Sequence, residues 1–586
     1  MRRRLIVAAL AALCFFPASQ ATVGQQPDLP STTKPAYTKV ESQLSDLAQR
    51  AIQDGVLASA QLAAGAPASL NGQVAVTIHH RNAPAAIARA VEQRAGVVAN
   101  VEADLVEAYV DLLDVPDLSE HPLVERVTLI RPPKPLGSPR RRSRAVGFGN
   151  IVSEGVIRHN ARAYHNADMT GQGVKVGVID VGFEGIRTAQ ANGELPGQIR
   201  RRCYTRVGRF NQRLAACEAD TAHGTAVAEA LLDIAPGVTL YVANPVSLTD
   251  LQRTVRWMAN RGVKVVNYSV SHAWSGPGDG TSRFSNSALK TVADAVQRGI
   301  LWVNAAGNEG RSTWSGAYRD RDNDGVLEFN NNRLERNRVR LARGESVIIL
   351  LRWDDTWGGA ATDLDLYLRT GSGTLVARSV DLQNGASSDD PIEGFSFTAP
   401  RAIGGAAATL TRYFVRVEHF AGPAPAWWQV QAFTSQILQR RQAGRSVGEP
   451  ADSADPGVLA VGASNQLRAA ALGRFSSRGP TRDDRVQPDI AGTIERFSSR
   501  GPTRDDRVKP DIVGVDNADS DVWGPWFGTS QASPHVAGLA ALLLQTNPTM
   551  TPVQLSDSLK ESARRRGSPR PNNTWGYGLA WLRTPR

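Results

Sequence analysis

A turn of small residues that leads into an apolar helical segment, at residues 527–545, constrains this chain more than any other stretch. The turn brings one hydroxyl, that of Ser530, to the start of a segment rich in Ala and Leu. The first N–H groups of a helix have no partner within the helix and carry partial positive charge, so they favour a developing anion. Ser530 is therefore a candidate nucleophile, although a serine at this place also serves as an ordinary helix cap.

Three other polar residues stand where apolar segments end or begin. Asp180 ends the apolar run 174–179, His223 precedes a glycine and an apolar helical segment, and Asn308 follows residues 300–307. Open α/β sheets place their sites at the carboxyl ends of such buried strands. A neutral imidazole is a natural base for a hydroxyl, and an amide can donate to an oxyanion without adding charge. Taken alone, an Asp after an apolar strand such as Asp180 is more often a helix cap.

Together these stretches resemble the subtilisin-type serine peptidases, the subtilases. The resemblance is carried by Val-Ile-Asp at 178–180, His-Gly-Thr at 223–225, Ala-Gly-Asn at 306–308 and Gly-Thr-Ser-Gln-Ala-Ser-Pro at 528–534. Their chain order, Asp before His before Ser, is that of subtilisin. The resemblance implies an α/β fold, a parallel sheet with helices on both faces. It also implies Ser530 as nucleophile, His223 as base, Asp180 as its orienting carboxylate, and Asn308 with the Ser530 N–H as the oxyanion hole.

The same resemblance implies the residues that hold the substrate. Ser269, Val270 and Ser271 match the substrate-binding strand of the family, with a serine at 271 where the family usually has a glycine. Ala305, Ala306 and Gly307 form the segment that leads to the oxyanion donor. Protein or peptide substrates are expected, and the chemistry needs no cofactor. The sedolisins are disfavoured because they carry a glutamate at the position of His223.

Residues 1–21 have the pattern of a secretory signal, with a charged start, an apolar core at 5–16 and a small-residue exit. The alternative is a membrane anchor, but the apolar core is short of the roughly 20 residues that a spanning helix needs. No later segment is long and apolar enough to span. The sequence therefore predicts a secreted protein, extracellular or periplasmic, with no membrane contact after the signal is removed.

By the same resemblance, residues 22–144 look like the propeptide that inhibits these enzymes in their precursors. Residues 73–133 alternate between strand and helix patterns in the order β-α-β-β-α-β, which predicts a ferredoxin-like unit. A Pro-rich linker and the basic run 140–144 follow, and a basic run at such a boundary is typical of a cleavage site. The alternatives are an independent binding domain and a merely solvated charged segment.

Net charge and cysteine content limit the functions and the cellular compartment that fit this chain. The net charge is +11, but Arg2, Arg3, Arg4 and the four arginines within 140–144 contribute seven of these charges, so nucleic-acid binding has little support. Cys203 and Cys217 remain after signal removal, and in an oxidising compartment they favour a disulfide that stabilises the fold by roughly 3 kcal/mol. Two unpaired core thiols are the alternative. We expect a monomer.

The peptidase domain is predicted at 145–318 and 438–586, interrupted by residues 319–437. The interruption opens with Asp320, Asp322 and Asp324 in Asp-x-Asp-x-Asp-Gly spacing, and Glu328 stands at the ninth position. This spacing is typical of a structural Ca²⁺ loop, with a solvated acidic turn as the alternative. Regular strand patterns from 336 to 434 predict a β-sandwich that resembles pre-peptidase C-terminal domains. The insertion either binds substrate or surfaces, or is only structural.

A duplicated segment precedes the candidate nucleophile. Residues 474–490 recur almost unchanged at 496–512, with a period of 22 residues, although the family has one such loop. One copy must therefore be extruded as a surface loop, which costs little loop-closure entropy. The sequence as a whole predicts a secreted serine endopeptidase made as an inhibited precursor. The alternative is an exported binding protein that acts through the β-sandwich, its peptidase core idle because the duplication distorts the Ser530 loop.

Overall fold

The computed structural model describes residues 34–136, 138–139, 151–205, 208–218, 221–400, 410–434, 436–465, 495 and 497–585. The predicted signal at 1–21, the basic run at 140–144 and the first repeat copy at 474–490 lie outside the described residues. Three units are seen: an N-terminal unit, a central α/β unit and a two-sheet unit inserted into it. Among the helices within these ranges, none is long and apolar enough to cross a membrane.

The N-terminal unit is a four-stranded antiparallel sheet, in the order β5-β2-β4-β3, with the short strand β1 added beside β2. Its elements are α1 (Ser42–Asp54), α2 (Val56–Ala64), β1 (Ser69–Leu70), β2 (Gln73–His80), α3 (Pro84–Glu92), β3 (Val97–Val101), β4 (Leu105–Val110), α4 (Val115–Ser119) and β5 (Val124–Leu129). Helices and sheet share one apolar core.

A glycine and a proline set two helix boundaries in this unit. Helix α1 ends at Asp54, because Gly55 adopts a φ of 85° that an α-helix cannot continue. Helix α4 begins at Val115, because a capped turn at Asp111 and a proline in the first helical turn set its start.

A connecting strap, residues 134–136 together with 138–139, leads from this unit into the central one. It contains β6 (Lys134–Pro135) and β7 (Ser138–Pro139). The first half of the central unit follows with α5 (Gly155–Arg158), α6 (Ala161–His165), β8 (Lys175–Ile179), α7 (Ile186–Ala191), β9 (Arg200–Tyr204), β10 (Phe210–Asn211), α8 (His223–Ile234), β11 (Thr239–Ala243), α9 (Leu248–Ala259), β12 (Val265–Tyr268), β13 (Val270–Ser271), α10 (Ala288–Gln297) and β14 (Leu301–Ala305).

The inserted unit consists of two four-stranded antiparallel sheets, in the orders β15-β22-β17-β20 and β16-β21-β18-β19. Its strands are β15 (Thr313–Ala317), β16 (Asn337–Leu341), β17 (Ser346–Trp353), β18 (Asp363–Thr370), β19 (Leu375–Ser379), β20 (Ile392–Thr398), β21 (Thr411–Ala421) and β22 (Trp427–Phe433). Residues of both sheets share a core that includes Trp314, Trp353 and Trp428. Strand β15 begins before the expected boundary at 319.

The second half of the central unit contains β23 (Val458–Asn465), β24 (Ile512–Asp516), β25 (Trp526–Phe527), α11 (Thr529–Thr546) and α12 (Pro552–Ser562). The central sheet has the order β10-β9-β11-β8-β12-β14-β23-β24, and its strands from β9 to β24 are parallel. Of the described strands of this central sheet, the edge strand β10 alone pairs antiparallel with its neighbour, β9. A parallel sheet of this kind needs both faces covered, which explains its continuous apolar strands.

Helix α11 is buried along nearly its whole length between the sheet and α8. A helix that is apolar on every side is the expected sequence for such a position. Gly538 allows the close packing, because a Cβ there would lie 2.6 Å from the Cβ of Ile234. At the other edge of the unit, Cys203 of β9 and Cys217 are joined by a disulfide.

The second copy of the duplicated segment, described from residue 497, leads directly into β24. Ser499 donates its N–H to the Gly307 carbonyl at 2.7 Å, and its hydroxyl accepts the Glu309 N–H at 3.0 Å. Arg507 donates to the carbonyls of Asp452 and Ser453. This copy therefore contacts the segment on both sides of Asn308 and the loop before β23.

Candidate active site

Four elements bring the predicted reactive residues to one edge of the central sheet. Asp180 follows β8, Asn308 follows β14, His223 opens α8 and Ser530 lies in the first turn of α11. Strands β8 and β14 are parallel and separated by β12 alone, so their carboxyl ends meet at this edge. Gly528, just before the nucleophile helix, has a φ of 139°, a conformation that favours glycine and sets the sharp turn.

The imidazole of His223 is held by the carboxylate of Asp180. Its Nδ1 lies 2.8 Å from both Oδ1 and Oδ2, and both side chains are buried. This contact fixes the ring so that Nε2 faces away from the carboxylate. His223 Nε2 is buried and has no hydrogen-bond partner among the described residues. The rings of Trp523 and Trp526, each 5.9 Å from the imidazole, pack beside it.

Ser530 is buried and makes two contacts with Ser269. Its hydroxyl donates to the Ser269 carbonyl at 3.0 Å, and the Ser269 hydroxyl donates to the Ser530 carbonyl at 3.1 Å. His223 contacts Asp180 through Nδ1, and the Ser530 hydroxyl donates to Ser269. Among the described contacts, no hydrogen bond therefore joins His223 directly to Ser530. Proton transfer between them therefore requires the hydroxyl to exchange the Ser269 carbonyl for Nε2.

The side-chain amide of Asn308 is oriented by Thr529. Asn308 Oδ1 accepts from the Thr529 N–H at 3.1 Å and from its hydroxyl at 3.0 Å. Because the oxygen is occupied in this way, the Nδ2 donor of the amide is directed to the opposite side. There it donates to the carbonyl oxygen of Leu136 in the strap.

The Leu136 carbonyl therefore occupies the position that an oxyanion would take. It accepts from Asn308 Nδ2 and from the Ser530 N–H, the latter at 3.3 Å. Both donors belong to the central unit, whereas the carbonyl belongs to the chain that leaves the N-terminal unit. The Leu136 side chain is 1% exposed. Two N–H donors that converge on one carbonyl oxygen are the arrangement that stabilises an oxyanion in acyl transfer.

The strap runs through the site as an extended peptide. Lys134 and Pro135 pair antiparallel with Ser271 and Val270, and the Leu136 N–H donates to the Ser269 carbonyl at 3.1 Å. Beyond Leu136, β7 pairs antiparallel with β25. Main-chain pairing on both sides of one carbonyl is the way in which an extended substrate adds to a sheet edge.

The other predicted substrate-binding residues are held by contacts within the central unit. Ala305 ends β14, the Ala306 N–H donates to the Val461 carbonyl, and the Gly307 N–H donates to the Thr529 hydroxyl. Gly307 has a φ of 110° and leaves room for Ser499, whose Oγ would lie 2.6 Å from an added Cβ. Ser271 donates its hydroxyl to the Glu449 carbonyl, so this side chain is engaged with the protein itself.

Lys134 of the strap lies where all three units meet. Its ammonium lies 5.9 Å from the ring centre of Phe433, on β22 of the inserted unit. Burial lowers the pKa of Lys134 to about 8, although the carboxylates of Glu309 and Glu345 favour its charged form. The sequence alone did not single out Lys134 or Leu136, because their region has the composition of a linker.

Two histidines near the site have structural partners. His535 lies 2.8 Å from the Ser153 hydroxyl and 3.1 Å from the Val515 carbonyl. His272 contacts the Tyr268 hydroxyl. Burial lowers the pKa of His272 to about 4 and that of His535 to about 3, so both rings are neutral at physiological pH.

Three of the four predicted metal ligands lie close together, and the fourth does not. Ligand oxygens of Asp320, Asp322 and Asp324 lie within 4.8 Å of one another. Glu328 is directed elsewhere, because its carboxylate pairs with Arg321 at 3.1 Å. The Oδ1 of Asp320 is buried and has no hydrogen-bond partner in the described part of the chain. Three converging carboxylates with such an oxygen fit a hard cation such as Ca²⁺.

We expect removal of Ca²⁺ by a chelator to lower the melting temperature of the protein. Without a cation the three carboxylates repel one another, and the repulsion destabilises the loop that opens the inserted unit. Thermal unfolding with and without chelator measures the effect. Asp322→Asn should remove the response, whereas Asp279→Asn, in a loop of the central unit, should keep it. An unchanged melting temperature for the parent protein would exclude a structural ion.

The comparisons with known proteins agree with this geometry. The sequence model of the Subtilase family matches residues 171–332 and 434–578, which together exceed half of the chain. The match is interrupted where β16 to β22 of the inserted unit lie. Subtilisin BL of Lederbergia lenta is 27% identical over 202 residues, 31% of this chain and 66% of that relative. Subtilisin E of Bacillus subtilis (strain 168) is 28% identical over 229 residues, 36% of this chain and 59% of that relative.

The match thus spans slightly less than two thirds of these relatives' own length. The solved structure of the Clostridium perfringens CspB protease is 19% identical and gives a TM-score of 0.48, covering 72% of this chain and 95% of that one. The family match includes Asp180, His223, Asn308 and Ser530. Because it covers more than half of the residues, the chain belongs to the subtilase family.

Proposed function

We propose that this protein is a secreted serine endopeptidase, made as a precursor that its own N-terminal segment inhibits. One observation carries the proposal. The Leu136 carbonyl is held by the Ser530 N–H and the Asn308 amide while its flanking chain pairs with Val270 and Ser271. A peptide bound in this way presents the Leu136–Gly137 bond to the nucleophile as a substrate would.

In the first step, Ser530 Oγ attacks the carbonyl carbon of the bound peptide while His223 Nε2 takes the hydroxyl proton. The carbonyl oxygen becomes an anion, which Asn308 Nδ2 and the Ser530 N–H stabilise. Asp180 holds the tautomer with the proton on Nδ1 and favours the imidazolium that forms.

In the second step, the tetrahedral intermediate collapses and the carbon–nitrogen bond breaks. His223 gives its proton to the departing amine, which leaves an acyl ester on Ser530. Water then adds to the ester carbonyl as His223 accepts its proton. A second collapse breaks the bond to Ser530 Oγ and releases the new carboxyl group, and His223 returns the proton to Oγ. The indoles of Trp526, which is buried, and of Trp523, which is partly buried, limit water access to the His223 ring.

The N-terminal unit and strap act in this proposal as a ferredoxin-like inhibitory propeptide. It docks on α9, where Glu107 accepts from the Thr249 hydroxyl at 2.9 Å and Glu102 pairs with Arg253 at 2.8 Å. The strap then fills the site. The sequence predicts a cut at the basic run, which would remove residues up to about 144. The strap enters the site earlier in the chain, at Leu136. Cleavage by the enzyme itself belongs after Leu136, and the basic run remains a place for a later cut.

Labelling with a fluorophosphonate tests the proposed function directly. We expect stoichiometric modification of Ser530 in protein from which the N-terminal segment has been released, detected by mass spectrometry of the labelled peptide. Ser530→Ala should remove the label. Full release of the N-terminal segment without any labelling would favour the alternative, a binding protein with an idle peptidase core.

Leu136→Asp should reduce cleavage after residue 136 by at least about tenfold. The leucine side chain is buried, and a carboxylate placed there loses hydration without a paired cation. Time-resolved mass spectrometry of the precursor follows the fragment that ends at residue 136. Leu113→Asn, at a partly buried site outside the strap, is the matched control and should leave the cleavage position unchanged. Cleavage of the Leu136→Asp precursor at the parent rate would place the scissile bond elsewhere.

A further inference from the structure

The inserted unit contacts the N-terminal segment at a face that the peptidase reaction does not use. Arg378 of β19 forms a two-pronged pair with Asp46 of α1, at 2.9 Å from Nε to Oδ2 and 2.8 Å from Nη2 to Oδ1. Both residues are buried. A bidentate arginine–carboxylate pair is stronger and more directional than a single charged contact. Because both charged groups are shielded from water, removing one of them is costly: the other remains as an unpaired buried charge.

The start of α1 is held by the loop after β19. The Ser42 N–H donates to Asp381 Oδ1 at 2.6 Å, and the Ser42 hydroxyl accepts the Val380 N–H at 3.0 Å. Asp381 therefore supplies the negative charge that a helix N-terminus favours. The same carboxylate pairs with Arg126 of β5 at 2.5 Å. One carboxylate of the inserted unit thus binds two separate elements of the N-terminal unit.

Two further contacts extend this face at either end. The Gln43 amide pairs with the main chain of Ser396, donating to its carbonyl at 2.7 Å and accepting its N–H at 3.0 Å. At the other end, the Lys34 ammonium lies 2.7 Å from an oxygen of Asp363 and 2.7 Å from one of Asp365. The face therefore combines buried charge pairs with main-chain recognition, the mixture that gives an interface its specificity.

We propose that the inserted unit is a second receptor for the N-terminal segment, separate from the α9 face of the peptidase. The inference rests on the proposed function, in which that segment is the inhibitor. Because the two receptor faces belong to one molecule, one face still holds the segment when it dissociates from the other. This raises the effective concentration of the segment at each face. The segment therefore stays bound after cleavage of the strap and dissociates only when both faces release it.

The test uses the full chain with Ser530→Ala, so that no step depends on its own peptidase activity. Residues 140–144 are replaced by the recognition sequence of a site-specific endopeptidase, which cuts the chain without touching either face. The dissociation rate of the N-terminal fragment is then followed by size-exclusion chromatography. We expect Arg378→Gln and, separately, Asp46→Asn to accelerate dissociation by at least about tenfold, because each leaves a buried charge unpaired.

Arg340→Gln is the matched control, since Arg340 is exposed on β16, at the opposite edge of the same sheet. Lys34→Gln provides a second variant that lies outside the core of either unit, and it should also accelerate dissociation. Equal rates for Arg378→Gln, Lys34→Gln and Arg340→Gln would overturn the proposal. Faster release in this inactive chain supports the second receptor even if the parent protein never cleaves itself. Failure of the proposed function is seen instead in the labelling experiment.

Discussion

Ser530→Ala is expected to abolish peptide hydrolysis and to leave the precursor uncut after Leu136. Removing the hydroxyl leaves both oxyanion donors in place, so the strap stays bound while no acyl ester can form. In subtilisin, a relative of this chain, loss of the nucleophile lowers kcat by roughly 10⁶-fold, and a comparable loss is expected here. Hydrolysis of a chromogenic peptide and the mass of the intact chain measure the two effects.

The matched control for this variant is Ser556→Ala. Ser556 is a buried serine of α12, and its hydroxyl has no hydrogen-bond partner in the described part of the chain. Its removal therefore tests the loss of a buried hydroxyl without touching the site. Hydrolysis by purified Ser530→Ala at the parent rate would refute the assignment of the nucleophile. Loss of activity in both variants would instead indicate a folding defect, which thermal unfolding would reveal.

Asn308→Ala is expected to lower kcat by about 10² to 10³-fold with little change in KM. The equivalent loss in subtilisin is the source of this range. The amide donates to the carbonyl oxygen more strongly as that oxygen gains charge, so its loss raises the barrier more than it weakens substrate binding. Thr529 loses its acceptor in the variant but keeps its place in the first turn of α11.

Kinetics on a peptide substrate separate the two constants, after release of the N-terminal segment has been verified. Asn547→Ala removes an exposed amide at the far end of the same helix and should leave both constants unchanged. A rise in KM at constant kcat for Asn308→Ala would assign the amide to ground-state binding. That result would remove Asn308 from the oxyanion hole.

Regular elements of the central unit were predictable because their chemistry is local. Strand β8 carries a continuous apolar run, and α11 has a small-residue turn followed by Ala and Leu. Strand β15 lies outside the range 336–434 in which strands were expected, since it is short and lacks a clear alternation of apolar and polar residues. Glu328 followed the spacing of a calcium loop, but its carboxylate pairs with Arg321 instead.

By itself the sequence located the four side chains that we propose carry the chemistry. Asp180, His223, Asn308 and Ser530 stand at strand ends or helix starts, and local patterns together with their chain order locate them. These features depend on near neighbours in the chain, which is why they can be recognised without a structure.

Only the tertiary structure decided what fills the site and what holds it there. The segment around Leu136 has the composition of a linker, yet it pairs with Val270 and its carbonyl accepts from the Asn308 amide. In the same way, nothing near Asp46 in the chain indicates that Arg378 is its partner. Such contacts join residues far apart in sequence, and they exist only because the packing of three units brings complementary groups together.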